Sequence, residues 1–203
     1  IDDVVDVIQE EAEEDFMRIG GVGDEELSDS ALDTSRSRVP WLLVNLVTAM
    51  LAASVIALFE ATIQEIVALA VLMPIVAGMG GNAGSQTMTV TVRALATRNL
   101  DIHNAWRVVR REASVGLLNG AIFGILIGLA SGLWFQDPNI GGIIAAAMLI
   151  NMMAAALGGI MIPLLLDRVG ADPAVSSAVF VTAVTDIIGF FSFLGLATWW
   201  LLR

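Results

Sequence analysis

The segment Gly78-Met79-Gly80-Gly81-Asn82-Ala83-Gly84-Ser85-Gln86 sets four glycines, two amides and a serine inside a long apolar run. Glycine has no Cβ and leaves its backbone open to close approach by another helix, a ligand or water. In hydrocarbon such a polar interruption persists only where protein or a water-filled cavity covers it. The run around it is long enough to cross a membrane. The stretch therefore reads as the feature around which the other spans are arranged to line a path for an ion.

Composition agrees. The 203 residues are 57% hydrophobic and 15% charged, with a mean hydropathy of +0.80, which places the chain among polytopic membrane proteins. Cysteine is absent, so neither a disulfide framework nor a thiolate metal site is possible. One histidine, His103, and no HExxH pattern argue against zinc. The chain opens at Ile1, inside what reads as a helix and without a signal peptide, and is expected to be a fragment. Of its 21 acids, 13 lie in residues 1–33 beside a single arginine, a local balance of −12, while the remainder balances at +1. The acidity belongs to the leading segment. Nothing in this pattern points to a nucleic-acid partner.

Three regions follow. Residues 1–22 read as an acidic amphipathic helix, with Val5, Ile8, Ala12, Phe16 and Ile19 on one face and Asp6, Glu10, Glu13 and Glu14 largely opposite. Residues 23–38 are polar and read as a linker, and 39–203 as an all-α membrane domain of five helices. The spans are expected at about Pro40–Ala61, Glu65–Leu95, Ala113–Phe135, Ile140–Leu166 and Ala174–Leu202, each beyond the ~20 residues that cross ~30 Å of hydrocarbon. Pro40 suits a first helical turn, whereas Pro74 and Pro163 are expected to kink or break their spans. The arginines at 36, 38, 93, 98, 107, 110, 111 and 168 all fall on one side of this arrangement. That bias predicts a cytoplasmic N-terminus and an external C-terminus. Gly116, Gly120, Gly124, Gly128 and Gly132 recur every fourth residue, which reads as a helix-packing groove.

Asp186 is the sharpest single residue. It lies near the middle of the fifth span, where a charge costs ~2.5–3.5 kcal/mol on insertion scales, and no basic residue occupies the middle of any span. Ala178, Thr182 and Gly189 share its helix face, with Thr185 beside them. A cation site explains the missing counter-charge; a protonated acid gluing helices together is the plainer alternative. Asn82 and Gln86 share a face of the second span at similar depth, and Gly81 gives room beside them. Amides and a carboxylate are hard oxygen ligands, suited to Mg²⁺ and related ions. Asn151 reads as structural. Glu60 and Glu65 read as surface acids at the external side, or as a cation-concentrating mouth. The acidic helix is either a solvated face or a sensor that cations neutralise.

These residues resemble the MgtE family of magnesium channels. The likeness rests on the run Pro74–Gln86 (PIVAGMGGNAGSQ) continuing to Arg93-Ala-Leu-Ala-Thr97, and on Asp172-Pro-Ala through Thr182 and Asp186-Ile-Ile-Gly189. It implies a domain-swapped homodimer in a bacterial plasma membrane, multi-pass among its lipids, with a pore at the subunit interface. It also implies that Asp186 holds a hydrated Mg²⁺, that Asn82 and Thr182 line the pore, and that residues 1–22 form a gating plug. The family's N-terminal sensing domain and paired CBS domains are missing from the chain, and Mg²⁺ is expected to be both cargo and regulator. The function so implied is passive Mg²⁺ influx. An ion-coupled divalent cation exchanger, a membrane-embedded metalloenzyme and a non-conducting sensor are the alternatives, the enzyme disfavoured by the sparseness of intramembrane acids.

Overall fold

The computed structural model describes residues 30–97 and 102–201, apart from the side chains of 102–104, 175 and 176. The leading segment with Asp6, Glu10, Glu13 and Glu14, and the side chain of His103, lie outside the described residues. Within them the chain is all helical: α1 Ala31–Ala57, α2 Glu60–Glu65, α3 Ala68–Ala96, α4 Ile102–Trp134, α5 Pro138–Arg168 and α6 Pro173–Leu201. All but α2 are long and apolar enough to cross a membrane, giving five candidate spans.

The helix ends depart from the sequence expectation at α1, which begins inside the stretch 23–38 read as linker. Ser30 explains this. Its Oγ accepts the Asp33 amide at 3.3 Å and donates to Asp33 Oδ2 at 2.6 Å, a local cap that starts a helix on polar sequence. Pro40 consequently lies inside α1, not at its start. Pro74 and Pro163 also sit within continuous helices, each removing one rung of the ladder without ending it. The glycine-rich stretch is helical throughout as well. This corrects its reading as a break, because its backbone carbonyls are committed to the helix and only its side chains are free to meet an ion.

α5 is the central element, with 56% of its most apolar window buried against 6% for α1. α4 runs antiparallel to it along the glycine groove, and the packing role read for the repeat holds over four of its five positions. A Cβ built on Gly116 would lie 2.7 Å from Ala156 Cβ, one on Gly120 3.0 Å from Leu149 Cα, one on Gly124 2.8 Å from Ala145 O and one on Gly128 2.8 Å from Gly141 O. Gly132 departs from the pattern: its nearest neighbour would be Asp137 O at 3.7 Å, an ordinary contact. α3 runs parallel to α5, pairing Gly80 with Asn151 and Gly84 with Ala155. α6 closes the bundle against α3 and α5. Two apolar clusters hold these three helices together. One contains Leu69, Val76, Ile144, Phe193 and Leu194, the other Met88, Val92, Ala174 and Val181. Beside the first, α2 is tied to α6 by a 2.8 Å hydrogen bond between the hydroxyls of Thr62 and Thr198.

Candidate functional site

Between the two apolar clusters lies the polar level of the bundle. Asn151 of α5 is fully buried there and donates through Nδ2 to Val76 O of α3 at 2.8 Å. A Cβ on Gly80 of α3 would overlap its carboxamide, and one on Gly189 of α6 would lie 2.7 Å from Nδ2. Absent side chains at these two glycines thus make the slot that Asn151 fills, a packing role in keeping with its sequence reading. One turn along, a Cβ on Gly84 would lie 2.6 Å from Val181 Cγ1 and 3.5 Å from Thr185 Cγ2. Residues 80–84 of α3 are therefore level with 181–189 of α6. Asn82 and Asp186 belong to that same level.

α6 presents Asp186 because its start is fixed by Asp172, whose Oδ1 accepts the Ala174 amide at 2.8 Å, and because its apolar side is locked into both clusters. Asp186 is partly exposed, Thr182 is exposed and Ala178 is partly buried. Thr185 is fully buried, so it faces the packing of α3 on α6. The Thr182 hydroxyl donates to Ala178 O at 3.0 Å, and that of Thr185 to Thr182 O at 2.9 Å. With its proton tied to the helix, the exposed Thr182 oxygen turns lone pairs outward. A carboxylate with such an oxygen beside it is an acceptor surface that attracts cations and their bound waters.

α3 divides its glycines between two sides. Gly80 and Gly84 are buried, whereas a Cβ on Gly78 or Gly81 would meet nothing within 4 Å. The open side continues through the exposed Asn82, Ser85 and Thr89. Gln86 is also exposed, but it lines a crevice shared with Glu112 and Asn119 of α4. Asn82 and Gln86, read as one face, thus border different surroundings. Arginines among the described residues keep to the helix ends, with Arg93 in the last turn of α3 and Arg168 closing α5. Glu60 and Glu65 are exposed on α2. The crevice around Glu112 was not singled out from the sequence; the signal for it was the spacing of Glu112, Gly116 and Asn119 on one helix face.

A family model described as MgtE, divalent cation transporter, matches residues 73–196. Three curated relatives, each a magnesium transporter MgtE, align over nearly the whole chain. The protein from Enterococcus faecalis is 36% identical over 198 residues, covering 98% of this chain. That from Bacillus subtilis is 31% identical over 199 residues, again 98% of the chain. That from Thermus thermophilus is 35% identical over 200 residues, 97% of the chain. The chain spans 44% of the length of each of these relatives.

Proposed function

This chain belongs to the MgtE family of divalent cation transporters, and from that premise we propose that it conducts Mg²⁺ into a bacterial cell through a pore completed by a second copy of itself. The observation that carries the reading is Asp186: an acid in the middle of an apolar span, without a basic partner among the described residues and partly exposed on the subunit. The names of the three relatives support Mg²⁺ as the cargo.

In this reading two copies related by a two-fold axis bring both Asp186 side chains to one ion, with Asn82 and Thr182 beside it and space left by the missing side chain at Gly81. Mg²⁺ surrenders inner-sphere water reluctantly, so the carboxylates hold it through water. Arginine placement orients the N-terminus to the cytoplasm. Entry is driven by the membrane potential, ~2.3 kcal/mol per charge per 100 mV and so about 4.6 kcal/mol for a divalent ion. The acidic residues Asp6, Glu10, Glu13 and Glu14 act as the cytoplasmic sensor: internal Mg²⁺ neutralises their mutual repulsion and holds conduction down, and its depletion releases it.

Mg²⁺ flux through the purified chain in liposomes tests the site. Losing charge-assisted contacts worth about 1.5–3 kcal/mol predicts that Asp186→Ala lowers flux at least about tenfold while helix content is unchanged. Parent-level flux in that variant would overturn the proposal. Flux that persists without any proton or sodium gradient supports a channel; flux that requires one assigns Asp186 to an exchanger.

A further inference from the structure

Glu112 lies off the path described above. It belongs to the face of α4 that also carries Gly116 and Asn119, and this face borders Gln86 and Thr87 of α3 across a crevice of about 140 Å³. Thr87 is buried, only 8% exposed as a residue, and its hydroxyl donates to Glu112 Oε2 at 3.3 Å. Arg107 and Arg110 fall on the far side of the helix at 100° per residue, Arg111 is exposed to one side, and no arginine lines the crevice. Gly116 and Ala156, which meet in the α4–α5 groove, form part of its wall. At about 30 Å³ of liquid per water, an ion can enter with several waters still attached.

From this geometry we infer that the crevice is a second divalent-cation site, distinct from Asp186. A carboxylate, two carboxamide oxygens and a hydroxyl make a hard-oxygen donor set without sulfur or imidazole, which selects Mg²⁺, Mn²⁺ and Ca²⁺ over softer metals. One negative charge makes the site weak, so its occupancy follows changes in cation concentration instead of saturating. Its donors come from two helices. A bound ion ties α3, which carries Asn82 on its open side, to α4 and through the glycine groove to α5. Occupancy thus stiffens the helix nearest the proposed path, and the site regulates without conducting.

The absence of cysteine permits a clean spin-label test on the full chain in lipid nanodiscs. A nitroxide is attached at Leu118→Cys, a position 62% exposed beside Asn119, in an Asp186→Asn background that disables the other site. Mn²⁺ is titrated and dipolar broadening of the nitroxide spectrum is read. Broadening is expected to saturate at high Mn²⁺, and Glu112→Gln, which keeps the shape and an oxygen for Thr87, should raise the half-maximal Mn²⁺ by about tenfold or more. Asn119→Leu should shift it in the same direction and decides the matter if the first variant misfolds by circular dichroism. Broadening that never develops, or that is indifferent to both substitutions, overturns the site. Loss of broadening on introducing Asp186→Asn alone also overturns it, because the ion would then belong to Asp186. None of these outcomes depends on flux, so failure here leaves the pore proposal standing or falling by its own test.

Discussion

A Cβ added to Gly80 would overlap the Asn151 carboxamide, whereas one added to Gly81 meets no atom within 4 Å. The two substitutions to alanine should therefore part company. Alanine gains roughly 0.5–1 kcal/mol of helix propensity over glycine at either position. At Gly80 that gain is outweighed by overpacking of about 1–3 kcal/mol, because Asn151 is pinned by its bond to Val76 O. Thermal unfolding in detergent should show Gly80→Ala less stable than the parent and Gly81→Ala equal to or above it; equal loss at both would refute the assignment of sides. The sequence announced that backbone is bared in this stretch but not toward what. Added bulk blocks helix approach at Gly80 and Gly84, and any effect at Gly81 should appear in conduction, not in folding. Asp186 was legible because a lone charge in an apolar run violates the cost of burial. Glu112 escaped notice because an acid beside arginines at a span boundary looks solvated until α3 supplies Gln86 and Thr87.

Five long helices follow directly from hydropathy, since only uninterrupted apolar sequence satisfies the length that hydrocarbon imposes. Their ends do not. α1 and α4 run past the apolar limit on polar residues, the first because Ser30 caps it, and propensity outside the membrane is invisible to a hydropathy reading. The four-residue glycine repeat was legible because its period matches one helix face. Its energetic grading was not, because that depends on the partner. At Gly120 and Gly128 the atoms a Cβ would meet belong largely to α5 backbone, Leu149 Cα at 3.0 Å for the first and Gly141 O at 2.8 Å for the second, but at Gly132 nothing comes nearer than 3.7 Å. Backbone cannot swing aside as a side chain does, so Gly128→Ala must push α4 and α5 apart. A loss of about 1–3 kcal/mol is expected there, and none at Gly132→Ala, where an ordinary contact is gained along with helix propensity. Comparing the two unfolding midpoints checks this, and indistinguishable losses would show that the groove is not the tight α4–α5 seam described.

For the molecule as a whole the surface that needs a cover is the open side of α3. Gly78, Asn82, Ser85 and Thr89 are exposed along it, and Thr182 of α6 is exposed at a comparable depth. Lipid tails offer such groups no hydrogen bonds, so protein or water must cover them. The outer side of α4 is different: Leu126 and Leu129 are 59% and 63% exposed and are suited to lipid. If a second copy encloses a wet path against α3 and α6, the two surfaces must differ in access to water, although both are exposed on one subunit. Single cysteines in this cysteine-free chain separate them. Asn82→Cys should react with a charged, membrane-impermeant thiol reagent in liposomes, and Mg²⁺ should slow that reaction by competing for the same space. Leu126→Cys should stay unmodified, because its thiol faces hydrocarbon and remains protonated and unreached by the reagent. Reaction at Leu126→Cys but not at Asn82→Cys would place lipid, and not an ion path, against the glycine-rich helix.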